Sequence, residues 1–409
     1  MPRKSSLLVL FAVASACTAR ADFLDKVRDT LSLSDSQNRF HLQLSGLADL
    51  EAYSIDQPAP GLIFSDHDFL LNPRLTLFLD LEIATKFYFF AQARMDRGFD
   101  PSDSGARGRL DEYFLRYTPT RNVHLQIGQF ATVIGNWVAR HDTWQNPFIN
   151  APLPYENLTG IWDGAAPDEP DTLFYWGHVG EYDNGDYSDK YLRLPVIWGP
   201  SYASGIALSG SCGRLDYAAE MKNSALASRP QSWSIAERGL EDPTFSGRVG
   251  FRPNEMWNFG VSASAGPYLL SVAEPTLPPG RGTGDYRELV LAEDVSFAWH
   301  HLQFWAEFFE SRFQVPHIGN ADTFSYYFEA KYKITSQLYG ALRWNQQLFG
   351  TIRDEDEWEK WGNDIWRIDA ALGYRITDYL QAKLQYSFSR QNSFSEGEHL
   401  FAGQLTAKF

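Results

Sequence analysis

The chain of 409 residues has no long hydrophobic run beyond its first few residues. A membrane-crossing helix needs roughly 18–20 consecutive apolar residues, so the helical class of membrane protein is excluded. Cysteine is nearly absent, with only two. One of them, Cys17, falls in the leader described below, which leaves Cys212 alone and rules out an intramolecular disulfide. Positive charge is also short: Lys and Arg number 36 against 51 Asp and Glu, for a formal charge of −15. An acidic chain is a poor partner for nucleic acid. What abounds is aromatic, 15% of residues, alongside a mean hydropathy of −0.34. That pairing fits greasy residues that alternate with polar ones.

The start reads as an export signal. Arg3 and Lys4 supply positive charge, Leu7 to Ala16 a short apolar run, and Ala19-Arg20-Ala21 a small-x-small cleavage site before Asp22. A lipoprotein signal ending at Cys17 is the rival, but the leucine such signals carry is missing from Ala14-Ser15-Ala16-Cys17. Cleavage after Ala21 removes Arg3, Lys4 and Arg20 and takes the formal charge from −15 to −18. The expected organisation is a signal peptide over 1–21, a short periplasmic N-terminal segment over 22–38, and one domain over 39–409. Phe23, Val27 and Leu31 recur at four, which suggests a short helix in 22–40 that serves as a cap, a plug or a contact between subunits.

The recurring period in the domain is two. Phe69, Leu71, Leu75, Leu77, Leu79 and Leu81 share one face while Asn72, Arg74, Thr76 and Asp80 share the other. Trp366, Ile368, Ala370, Leu372 and Tyr374 likewise oppose Arg367, Asp369 and Arg375. The stretches are about ten residues or longer, the length of a tilted membrane-spanning strand. Tight connections such as Pro119 to Asn122 and Ile376 to Tyr379 alternate with long polar ones such as Gln57 to His67 and Gly350 to Asn363. This is the grammar of an all-β, antiparallel transmembrane β-barrel. Sixteen strands emerge, near 39–53, 67–81, 84–97, 109–118, 123–131, 203–210, 213–223, 244–252, 256–266, 286–299, 301–313, 322–333, 337–348, 364–376, 379–390 and 398–409. Eighteen is the alternative, reached if Thr172 to His178 and Tyr191 to Trp198 are strands. Gly46 and Glu293 are the places where the alternation is broken. The last strand should pair with the first, around Phe40 to Tyr53, to remove the open edge.

A water-filled barrel needs polar groups facing inward. The expected pore-lining set is Arg74, Arg94, Arg116, Arg343, Arg367 and Lys383 with Glu112 and Asp96, joined by Arg140 and His141 from the long connection. One reading is a basic track that draws anions through. The other is a wall of mixed charges that pair with one another, since acidic residues are nearly as common inward. Phe78 and Phe114 also fall inward, so part of the lumen is filled.

Several stretches carry a resemblance to a family. They are Leu289–Phe297 (LVLAEDVSF), Leu302–Arg312 (LQFWAEFFESR), Ser325–Tyr332 (SYYFEAKY), Ala341–Asn345 (ALRWN) and Leu125–Phe130 (LQIGQF). In pattern they resemble the phosphate-selective porin O and P family of outer-membrane porins. The resemblance implies a sixteen-stranded channel, usually trimeric, that admits anions by diffusion. In general porins a long third loop, after the fifth strand, folds into the barrel and narrows it. Here Ala131 to Tyr202 stands in that place, with Arg140, His141, Trp144 and Asn146 as constriction candidates. The family's loop lysines are matched only by Lys190. The terminal strand, with Phe401, Leu405 and Phe409, resembles the signal read by the barrel-assembly machinery.

The expected function is therefore an outer-membrane porin in a Gram-negative bacterium. It would pass small hydrophilic solutes, anions such as phosphate among them, with the lipid bilayer and a homotrimer as partners and no cofactor. Two other classes compete. A barrel protease or phospholipase needs a base beside a nucleophile at the rim, and only Asp66-His67-Asp68 and His141-Asp142 approach that. A non-conducting receptor barrel needs loops that bind a partner. Gly280 to Gly284 is a loop without the strand-to-helix context of a phosphate cradle. His300-His301 sits at a turn with no further ligand beside it.

Overall fold

The computed structural model describes residues 30–37, 39–57, 59–65, 67–96, 107–177, 190, 192–354, 356–392 and 396–409. The leader and the helix expected around Phe23 and Val27 lie outside them. The strands in chain order are β1 (Ser32–Ser34), β2 (Phe40–Ile55), β3 (Phe69–Ile83), β4 (Phe87–Asp96), β5 (Arg107–Thr120), β6 (Val123–Phe130), β7 (Ala203–Cys212) and β8 (Leu215–Lys222). Then come β9 (Thr244–Phe251), β10 (Trp257–Pro267), β11 (Arg287–Trp299), β12 (Leu302–Val315), β13 (Gly319–Lys333) and β14 (Leu338–Phe349). A small hairpin, β15 (Thr351–Asp354) and β16 (Glu357–Lys360), precedes β17 (Ile365–Arg375), β18 (Leu380–Gln391) and β19 (Glu398–Lys408).

Each wall strand pairs antiparallel with its neighbour in sequence, and β19 pairs with β2, Leu405 opposite Leu50, to close the ring. The wall is thus a sixteen-stranded antiparallel barrel made of β2–β14 and β17–β19. Its burial is inverted relative to a water-soluble protein. Leu342 is 63% exposed while its neighbour Arg343 is 1% exposed, and Leu384 and Lys383 stand at 65% and 2%. Exposing a leucine costs about 1.5–3 kcal/mol in water, so an outer face of this kind is stable only against hydrocarbon. Trp257 packs on Phe297 near the short-turn end, and Trp344 stacks on Trp366 toward the other.

Both irregularities in the alternation have a place. Gly46 points outward, and the ring of the terminal Phe409 lies on it: a Cβ there would stand 2.4 Å from the ring. The Gly46 N–H and the Phe409 carbonyl bond at 3.0 Å, and the reverse pair at 3.1 Å. Just beyond, β1 pairs with His41 to Gln43 and covers the part of β2 that outruns β19. Glu293 does lie on the outer face, between Val261 and Phe308.

The eighteen-strand alternative is not what forms. Residues 172–177 belong to helix α1 (Pro170–Gly177). Proline suits its first turn, Asp171 faces the positive end of the dipole, and the Thr172 hydroxyl donates to Asp168 at 2.7 Å. His178 and Tyr191 lie outside the described residues. Residues 192–198 make a single bridge, Arg193 with Trp162, and Pro195 breaks any longer ladder. The largest buried apolar cluster sits not in the wall but among the long connections, where Leu173, Trp198, Tyr202, Trp233, Tyr268 and Trp361 meet.

Candidate permeation pathway

Inward positions are identified by the outward leucines and aromatics that flank them. On β2 to β4 the inward residues include Glu51, Asn72, Arg74, Thr76, Gln92, Arg94 and Asp96. They border a cavity of about 440 Å³ whose other side is made by Trp137, His141 to Thr143, Asn146, Phe148 to Ala151, Glu156 and Trp198 to Pro200. Phe64, Ser65 and His67, with apolar groups that include Leu62, Ile63 and Phe78, also line it.

The cations on this side are paired yet remain partly open. Arg74 binds Glu51, which also accepts from Tyr53 at 2.9 Å, Asn72 at 3.1 Å and Gln404 at 2.8 Å. Arg94 contacts Asp96 at 3.0 Å and Asp111 at 3.4 Å, while Arg109 contacts the same carboxylates at 3.3 and 2.5 Å. The side chains of Arg74, Arg94 and Arg109 are 18%, 17% and 20% exposed. Arg109 and Asp111 were not among the expected residues. The register slips between Gln92 and Ala93, so that Asp111 is an extra residue in β5. A bulge of this kind reverses the facing of everything beyond it, and simple alternation carried through from Glu112 puts Arg109 on the wrong side.

The cations of β14 to β18 have another environment. Arg343 bonds Asp369 at 2.8 Å and the Asn150 side chain at 2.6 Å, and it stands 3.5 Å from Glu329. Arg367 bonds Glu156, Asp369 at 3.0 Å and the Ala151 carbonyl at 2.6 Å. Lys383 donates to the carbonyls of Thr143 and Phe148. Arg140 reaches Glu329 and the Tyr327 hydroxyl and lies 4.2 Å from the Trp305 ring. Glu307 accepts from the backbone of Asn136 and Trp137 and from the Tyr155 hydroxyl. Apart from the wall-to-wall pairs of Arg343 and Arg367 with Glu329 and Asp369, these contacts join the 131–202 connection to the inward face of the wall. A buried ion demands such partners, because an unpaired one costs several kcal/mol.

Of the expected pore-lining residues, Arg74, Arg94, Asp96 and His141 border the cavity. Arg343, Arg367 and Lys383 are held beneath the connection and Arg140 reaches from the connection to the wall, each under a tenth exposed. Glu112 accepts from the Ala131 N–H at 3.2 Å, where the connection begins. Arg116 donates to Gln126 at 2.9 and 3.1 Å and covers the rings of Tyr88 and Phe114. His141 has both ring nitrogens engaged, Nδ1 with the Val138 carbonyl and Nε2 with the Tyr202 hydroxyl, each at 2.6 Å. Burial holds its imidazole below the usual histidine range, so it adds no charge near neutral pH. Burial also raises the Glu156 carboxyl against the pull of Arg367. It depresses the Lys190 ammonium to about 7, where that group binds the carbonyls of Ala59 and Ile63. Asp66 of the other rim cluster lies outside the described residues.

A second set of cations faces inward at the short-turn end. Lys331 lies 4.3 Å from the Tyr339 ring, and Arg375 and Lys408 lie 5.5 and 4.6 Å from Trp144. Lys333 shares the inward face of β13 with Lys331.

No protein-family model matches this sequence, and no curated protein sequence matches it. Solved structures share its fold. OmpF of Salmonella typhi in complex with daunomycin superposes with a TM-score of 0.57 at 11% identity, over 92% of this chain and 100% of that one. The outer membrane channel DcaP of Acinetobacter baumannii gives 0.54 at 10% identity, over 92% and 99%. The anion-selective porin from Comamonas acidovorans gives 0.54 at 9% identity, over 90% and 100%. At such identities the likeness is one of fold, and that fold is the sixteen-stranded barrel of outer-membrane channels.

Proposed function

We propose that this chain is an outer-membrane porin, a passive diffusion channel for small hydrophilic solutes, and that the 131–202 connection folds into the barrel and forms its constriction. The observation that carries this reading is the cavity between the β2–β4 wall and residues 137–156. Glu51, Asn72, Arg74, Gln92, Arg94 and Asp96 give it a polar side, as a hydrated path requires, beside apolar groups such as Ile63, Phe64 and Phe148. The hydrogen bonds of Arg343, Arg367, Lys383 and Glu307 to the connection support the placement of that segment.

The anion preference expected from the phosphate-selective porins rests on the short-turn end. There Lys331, Arg375 and Lys408 gather on the inward face beside the rings of Tyr339 and Trp144. The cavity itself is mixed, with Arg74 and Arg94 beside Glu51, Asp96, Asp142 and Glu156. The preference is therefore modest, and phosphate is one anion among several. An enzymatic reading finds less support. The Asp142 carboxylate accepts from the backbone of Trp144 and Gln145, both at 2.8 Å, and does not orient His141. Three copies associate, and Phe409 carries the assembly signal.

Purified protein in a planar bilayer tests this. Stepwise conductance is expected, with a reversal potential under a KCl gradient on the anion side. A clear cation preference removes the anion part, and absence of conductance removes the channel.

A further inference from the structure

The inward face of β3 to β6 carries a feature that a simple aqueous pore has no use for. Below the arginine layer, Phe78, Tyr88, Phe90, Phe114 and Phe130 form one continuous group of rings. Phe78 and Phe90 stack at 6.2 Å, Tyr88 and Phe90 at 6.4 Å, and Phe90 lies 5.5 Å from Phe114, which meets Phe130 at 6.4 Å. Phe114 and Phe130 are buried, as packing residues should be. Phe78, Tyr88 and Phe90 are only partly covered. Phe78 also borders the cavity, so the group continues the pathway toward the short-turn end. Apolar rings left open to lumen water lose hydrophobic free energy without gaining contacts. Rings that served only as filler would be covered.

The polar groups beside the rings define what would fit. The Tyr88 hydroxyl donates to Asp80. The Arg116 guanidinium, 5.6 Å from the Tyr88 ring and 5.1 Å from Phe114, donates to Gln126. One acid and one base cancel, so the patch attracts neither sign strongly. Carboxylate, guanidinium, phenol and amide together offer fixed acceptors and donors at the edges of a flat apolar platform. A sugar ring matches this: its C–H face stacks on aromatic rings while its hydroxyls pair at the rim.

We propose that Phe78, Tyr88 and Phe90, with Asp80 and Arg116 at their edges, form a saccharide-binding track inside the channel, on the exit side of the constriction. The inference rests on the channel reading, and it adds a solute class to it. The track would make passage of a neutral oligosaccharide saturable, while ions pass along the charged side.

The test uses the purified full-length channel in a planar bilayer. Maltotriose is titrated on one side and the fall in KCl current recorded, with polyethylene glycol of matched mass as the control. Saturable block by maltotriose and none by the glycol is expected. In the Phe78→Ala/Phe90→Ala double variant the half-blocking concentration should rise roughly tenfold, as the loss of two stacking contacts predicts. The conservative Phe90→Tyr should stay near the parent. Arg116→Gln, which leaves every ring in place, serves if the double variant fails to insert, and should weaken block several-fold. Equal effects of maltotriose and glycol would overturn the proposal. So would an unchanged half-blocking concentration in the variants, or saturable block by benzoate with none by maltotriose. Absence of any stepwise conductance would instead fail the channel reading itself, which separates the two.

Discussion

Two sectors of the inner wall carry the same kinds of side chain and use them differently. On β3 to β5, Arg74, Arg94 and Arg109 pair with Glu51, Asp96 and Asp111 and keep close to a fifth of their surface open. On β13 to β17, Arg343 and Arg367 pair with Glu329, Asp369 and Glu156 and keep almost none. The strands are alike in period, length and facing. What differs is the connection laid against the second sector, whose backbone and amides complete its hydrogen bonds. An inward arginine therefore stands partly open beside the cavity on one side and is a structural anchor on the other.

Substitutions separate the two sectors, and the largest effect is expected in the anchored one. Arg343→Ala removes a fully buried cation from between Asp369 and Glu329, leaves them only Arg367 and Arg140, and strips the Asn150 side chain of its donor; it should cost about 3 kcal/mol, the low end for a broken buried network. The readout is the urea midpoint of the heat-modifiable band on gels. A variant as stable as the parent would mean that the second sector is as open as the first. Glu307→Ala comes next. It strips the Asn136 and Trp137 N–H groups and the Tyr155 hydroxyl of their acceptor, a loss of about 1–3 kcal/mol for the buried donors. Beyond stability, open-channel noise should rise as the connection loosens, and a quiet channel would argue against the anchoring role.

Arg94→Gln should reverse that balance of effects. Arg109 still faces both aspartates, so stability should fall by no more than about 1 kcal/mol. The reversal potential should move toward cations, and if it does not, the open sector does not touch the ion path. The smallest effect belongs to His141. Its imidazole is held neutral by burial, so His141→Gln should leave the dependence of selectivity on pH unchanged from pH 8 down to about 6.5, the ordinary histidine value. A difference between variant and parent within that window would show that His141 ionises after all.

Much of the wall was legible because period two is a local property. Residues such as Leu342 and Arg343 declare their faces whatever happens elsewhere, and all sixteen strands and the β19–β2 pairing follow from that. Burial beneath the connection is not local. Nothing near Arg343 distinguishes it from Arg94; the difference lies in Asn150 and Ala151, nearly two hundred positions upstream. The bulge at Asp111 is legible only in the partner strand's register, which explains why Arg109 escaped notice. Helix α1 was missed for another reason: Pro170 and Asp171 announce a helix start, but a run of aromatic residues after them also suits a strand.

The terminal ring on Gly46 has a consequence for how the molecule comes into being. Every wall pairing but one joins strands that follow each other in the chain. The exception is the seam, where Thr406 bonds Asp49 at 2.5 Å across 357 residues of sequence. Contacts between distant segments are the slow ones, since chain entropy is lost before they give any return. The half-made sheet must therefore wait with two bare edges, in a membrane that offers no water to either, until β19 meets β2. A slip of one residue at that moment would turn β19 inside out. Only at Gly46 does β2 leave room for the Phe409 ring, so a slipped register would drive that ring against a side chain of β2.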